Sequence, residues 1–150
     1  MRIIKKISIV TMIIILISGG IVLYLRVDET LKIKAILGEA KKAFEKEDIE
    51  NLMSYVSQKY SDDNGFNYPM AKRLISDLFK NFDKLDAIIE NPVIKIEDDK
   101  ATVQFNLWIA VGWNGNPAYI LGTNKAGASV RVHLQKISQD WKVVKIEGMR

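Results

Sequence analysis

Apolar residues run without a charge from Ile7 to Leu25, ISIVTMIIILISGGIVLYL, before any periodic pattern begins. As a helix rising about 1.5 Å per residue this stretch covers roughly 28 Å, close to the hydrocarbon thickness of about 30 Å. Twelve of its nineteen residues are Ile, Leu or Val, which favours insertion into lipid. A membrane-spanning helix is predicted. Ser18-Gly19-Gly20 would suit a signal peptidase, but Ile21 to Leu25 continue the apolar run beyond it, which argues for a retained anchor over a cleaved signal.

Beyond this run the apolar period is that of a helix. Ile33, Ile36, Leu37, Ala40, Ala43 and Phe44 form one stripe, with Lys and Glu opposite, predicting a first amphipathic helix over about 28–47. Asp48 is a cap for a second helix carrying Ile49, Leu52, Met53 and Val56. Pro69 suits the first turn of a third, whose buried face is Leu74, Ile75, Leu78, Phe79 and Phe82.

After Phe82 the period falls to two. Val93 to Ile96 lead to the turn pair Asp98-Asp99, and 101–111 then alternate. Val103, Phe105, Leu107, Ile109 and Val111 take one face; Thr102, Gln104, Asn106, Trp108 and Ala110 take the other. Asn114-Gly115 signals a hairpin. Tyr119 to Leu121 read as strand, interrupted by GTNKAG at 122–127. Val130, Val132 and Leu134 alternate with Ser129, Arg131, His133 and Gln135, and Trp141 to Glu147 form a last strand. Helices first and hairpin-linked strands after predict an α+β fold with a mostly antiparallel sheet.

The run EAKKAFEKEDIENLMSYVSQKYSD, followed by four strands ending in WKVVKI, resembles the nuclear transport factor 2-like (SnoaL-like, cystatin-like) superfamily. The resemblance covers about Thr30 to Glu147. It implies a cone of three helices packed on a curved, mostly antiparallel four-stranded sheet, behind the transmembrane helix. It carries architecture rather than activity. The expected division is a tail and anchor (or signal peptide) over 1–26 and a cone domain over 27–150.

Charge sharpens this division. The net charge is +4, but residues 1–26 hold Arg2, Lys5, Lys6 and Arg26 and no acid. Removing these leaves 18 basic against 18 acidic residues in 27–150. The basicity belongs to the N-terminal segment, so nucleic acid is not an expected partner. The basic tail predicts an N-terminus in the cytoplasm and the domain outside it, or a secreted domain if the segment is cleaved. Absence of cysteine excludes disulfides, thiolate catalysis and cysteine-ligated zinc.

The stretch YSDDNG at 60–65 has the materials of a calcium loop. An EF-hand loop needs a bidentate acid eleven residues after its first ligand. Counting from Asp62 gives Arg73, and from Asp63 gives Leu74. The loop is therefore read as a bend between helices, with no metal and no cofactor. His133 is the only histidine, and its parity with Arg131 points it to the outer sheet face. Glu90 shares parity with Ile88, Ile94 and Ile96 and is the one strand acid expected to face inward, although Pro92 interrupts that register. Trp108 belongs to the outer face and is the candidate anchor for a protein partner or a second copy.

These readings together predict a membrane-anchored, extracytoplasmic, non-catalytic module of the kind expected in an envelope complex. It would bind a small apolar ligand in the cone or a partner on the outer sheet face. Trp108, Arg131, His133 and Glu90 are its candidate binding residues. The resemblance implies an alternative, an isomerase or dehydratase using the cone pocket, for which no family catalytic set maps onto this chain.

Overall fold

The alternating segment 101–111 forms the body of a long strand on which the rest of the sheet is built. The computed structural model describes the backbone of residues 2–149 and the side chains of residues 14–149. In chain order the elements are α1 (Arg2–Glu45), α2 (Ile49–Ser54), α3 (Tyr68–Asn81), β1 (Lys84–Glu97), β2 (Lys100–Trp113), β3 (Asn116–Leu121), β4 (Ala128–Ile137) and β5 (Asp140–Glu147). The chain divides into two compact units, Met1–Lys34 and Ala35–Arg150.

Four helices are expected and three are found, because the apolar run and the first amphipathic helix are one element, α1. No proline or glycine lies between Leu25 and Ile33. Lys32 holds Asp28 at 2.9 Å and Glu29 at 3.1 Å, pairings that support a helix at this spacing. Of the expected span Ile7–Leu25, the side chains of 7–13 lie outside the described residues. Among the described residues no helix is long and apolar enough to cross a membrane.

α1 ends where Glu47 takes a left-handed conformation, φ 58°, so that the Asp48 N–H donates back to the Ala43 carbonyl at 2.9 Å. Asp48 then caps α2, accepting from the Asn51 N–H at 3.1 Å. Asn67 caps α3 through the Met70 N–H at 3.1 Å, with Pro69 in the first turn.

The sheet has five strands rather than the four expected, in the order β1-β2-β4-β5, with β3 also on β2. Every strand pair is antiparallel. β3 and β4 share one edge of β2, β3 along 109–113 and β4 along 100–107. The fifth strand exists because Asn114 and Gly115 both take positive φ, 50° and 77°, which turns the chain straight back. Residues 122–127 leave the edge between β3 and β4.

Val103, Phe105, Leu107, Ile109 and Val111 are all buried, as their alternation predicts. Each contributes roughly 1.5–3 kcal/mol of burial. Phe44 of α1 meets Phe79 of α3 edge-on at 5.7 Å, and Glu45 accepts from the Ala87 N–H of β1 at 3.2 Å. The outer edge of β5 is covered by the segment after α2. Ser57 N–H donates to the Val143 carbonyl, and Val143 N–H to the Tyr55 carbonyl, both at 2.8 Å. Ser61 N–H adds a bond to the Val144 carbonyl at 3.2 Å.

Candidate functional site

The pairing of 55–61 with β5 swings residues 60–66 over one end of the helix–sheet sandwich, where they border a cavity. Its volume is about 300 Å³. Leu74, Ile75 and Leu78 of α3 form one wall, and Ile109, Leu121 and Ile146 of the sheet form the other. The polar lining comes from one stretch of chain, Tyr60, Asp62 and Asn64. An apolar chamber with a few convergent polar groups is the usual form of a small-molecule site.

The polar end is organised around one carboxylate. Asp62 Oδ1 accepts from the N–H groups of Asn64 and Phe66, both at 2.9 Å, and Oδ2 accepts from the Tyr60 hydroxyl at 3.1 Å. Gly65 completes the turn at φ 82°, a conformation open to glycine without a Cβ penalty. Asp63 pairs with Lys145 of β5 at 2.8 Å. The acids that suggest a calcium loop are thus held by the loop's own amides, a phenol and a lysine. Tyr60 is buried; burial, and then the Asp62 charge, push its hydroxyl above the ordinary phenol pKa. It stays a protonated donor through neutral pH.

Glu90 does not reach this cavity. The register of β1 against β2 shifts by one residue between Glu90 and Val93, with Asn91 at φ 54°. This bulge inverts the parity. Leu85 and Ala87 are buried before it, Ile94 and Ile96 are the less exposed residues after it, and Glu90 is exposed beside Ile88 on the outer face. The inward reading of Glu90 fails because Pro92 and Asn91 insert an extra residue.

Arg131 and His133 lie on the outer face, as their parity predicts. His133 Nε2 is 3.1 Å from Glu147 Oε2, and Lys145 is 2.9 Å from Oε1. Arg131 stands 3.8 Å from the same carboxylate. The His133 hydrogen bond, and then that of Lys145, hold the Glu147 carboxyl down at about 2. Trp108 is also outward, but its indole is covered by its own chain. Its Nε1–H donates to the Thr123 carbonyl at 3.0 Å, and Gly122 and Gly127 lie against its ring.

The four candidate residues therefore share the outer face, while the cavity's polar residues are Tyr60, Asp62 and Asn64. Their signal in the sequence is the YSDDNG stretch itself, in which the tyrosine matters more than the glycine.

No protein-family model matches the sequence, and no curated protein matches it. Solved structures do. Bd1075 of Bdellovibrio bacteriovorus superposes with a TM-score of 0.64 at 15% identity, covering 77% of this chain. The chain spans 38% of that protein's length. A nuclear transport factor 2-like protein with a cystatin-like fold from Novosphingobium aromaticivorans gives 0.64 at 14% identity, covering 82% of each chain. A protein of the same organism, provisionally named a scytalone dehydratase, gives 0.67 at 11% identity, covering 81% of this chain and 83% of that one. Helices packed on an antiparallel sheet, together with these likenesses, give the chain the nuclear transport factor 2-like, cystatin-like fold.

Proposed function

We propose that Ala35–Arg150 is a binding module whose cone cavity takes a small, mostly apolar molecule with one hydrogen-bonding end at Tyr60 and Asp62. The observation that carries this is the cavity of about 300 Å³ with apolar walls and polar groups from a single stretch. That volume lies at the small end of ligand pockets, roughly 300–1,000 Å³. Burial of a ligand's apolar body would supply affinity, and the polar end would fix its orientation. The test is extraction of the purified full chain followed by mass spectrometry. A small apolar compound should accompany the wild type and be depleted from Ala71→Phe, which narrows the cavity; equal recovery from both would refute the site.

Membrane anchoring through residues 7–25 belongs to the same proposal, with the domain outside the cytoplasm. Ile14, Ile15, Leu16 and Ile17 are each more than half exposed. Four consecutive helical positions cover every face, so this stretch offers no polar side to water. Protease added to intact protoplasts should remove the domain; full protection would reverse the orientation.

A second reading is acid–base chemistry on the bound molecule. Tyr60 and Asp62 line the cavity, and a solved structure of like fold carries a dehydratase name. Turnover lost in Asp62→Asn, with binding kept, would favour that reading over a pure binding module.

A further inference from the structure

A second concavity lies on the opposite side of the sheet, and its chemistry differs. Its volume is about 290 Å³, and it crosses β1, β2 and β4. Strand register places its residues in two rows. Lys95, Thr102, His133 and Lys145 are successive cross-strand neighbours, as are Val93, Gln104, Arg131 and Glu147. Directly opposed residues in a sheet stand about 4.5–5.5 Å apart. The hydroxyl of Thr102 and the amide of Gln104 therefore form a floor, with Lys95 on one side and Arg131 and His133 on the other. Lys100 and Glu97 complete the lining.

The hollow holds three permanent cations, Lys95, Lys100 and Arg131, against one acid, Glu97. Among the described residues no ion pair involves Lys95, Lys100 or Glu97. Arg131 has Glu147 only at 3.8 Å, because Glu147 is bonded more closely to His133 and Lys145. Residues 27–150 balance 18 cations with 18 acids, so this excess is local rather than a property of the whole domain. With Glu97 opposite Lys100 in the strand register and Glu147 near Arg131, an excess of cations remains around the concave polar floor and favours an anion there.

The donor arrangement narrows the class. Arg131 alone could grip a planar carboxylate side-on. Lys95 and Arg131 on opposite sides, above a hydroxyl and an amide, instead offer donors from several directions. That suits a tetrahedral oxyanion, with Lys acting as a point charge and Arg as a fork. We infer that this outer groove binds a phosphate-type oxyanion between Lys95 and Arg131, with Thr102 and Gln104 donating from the floor. The group could belong to a soluble phosphate or to an anionic lipid headgroup. The inference is independent of what the cone cavity holds.

The test uses the full chain in a non-ionic detergent. Inorganic phosphate is titrated calorimetrically against a chloride buffer of equal ionic strength, and soluble dihexanoyl phosphatidylglycerol is titrated in a parallel arm. Wild type should give a saturable isotherm in at least one arm. The double variant Lys95→Gln/Arg131→Gln should weaken it at least tenfold with an unchanged melting temperature, since both side chains are exposed. Lys125→Gln, outside the groove, should match wild type. Similar affinities in the two arms identify a soluble phosphate group as sufficient. Binding confined to the lipid, and lost in the double variant, identifies the headgroup. No saturable binding in either arm, or binding that the double variant leaves intact, would overturn the inference.

Discussion

Gly127 lies flat against the indole of Trp108, so close that a Cβ at 127 would sit 2.7 Å from the ring. A Cβ at Gly122 would sit 2.9 Å from Cδ1 of the same ring, and the residue's φ is 77°. Trp108 thus anchors the loop 122–127 that bridges β3 and β4. Trp108→Ala should cost about 2 kcal/mol, below the roughly 3–5 of a fully buried tryptophan. Gly127→Ala should cost about 1–3 kcal/mol by overpacking. Thermal melts of both variants check this. An unchanged melting temperature for Trp108→Ala, with weakened self-association, would return the residue to the role of a partner anchor.

Glu147 provides a pH test of the outer face. Its carboxyl pKa is lowered from 4.5 to about 2, first by the His133 hydrogen bond and then by that of Lys145. A carboxyl depressed in the folded state stabilises above its unfolded pKa, and that contribution is lost as pH falls through the folded value. The melting-temperature gap between wild type and Glu147→Gln should therefore be full near neutrality and shrink from about 4.5 downward. Carboxyl NMR should show Glu147 titrating near 2, and His133→Gln should raise that value. Titration at the ordinary position in wild type would dissolve the cluster.

Tyr60 supplies the alkaline counterpart. Its phenol pKa is raised by burial and by the Asp62 carboxylate. A group raised in this way contributes stability below its unfolded pKa of about 10 that is lost as pH rises further. In an ultraviolet titration it should ionise late, above the ordinary phenol range. Tyr60→Phe should remove the late phase and leave the early one. Loss of an early phase would place the phenol in water rather than beside Asp62.

The parts of this architecture legible in the sequence are those with a strong local cause. Asp48 and Pro69 stand where α2 and α3 begin because caps and first-turn prolines act within one turn. Val103, Phe105, Leu107, Ile109 and Val111 of β2 point inward as alternation requires, since one face is buried along the strand. β1 was obscured by its own bulge, because Asn91-Pro92 reverse the face on which every later residue lies. The cavity's polar end was harder still. Tyr60 and Asp62 are near in sequence, but they face the cavity only because 55–61 pairs with Val143 and Val144, more than 80 residues later. Local periodicity carries no trace of such a contact.

Occupancy of the cone cavity is read most directly by methyl NMR of the full chain titrated with 2-naphthol, a neutral apolar probe with one hydroxyl. Saturable shifts should appear at Ile75, Ile109, Leu121 and Ile146, which line the cavity. Ile88 and Ile137, which lie outside it, should stay still, and Ala71→Phe should abolish the response while keeping the fold. Shifts confined to the exposed apolar residues 14–31, or a response that survives Ala71→Phe, would contradict a ligand site in the cone.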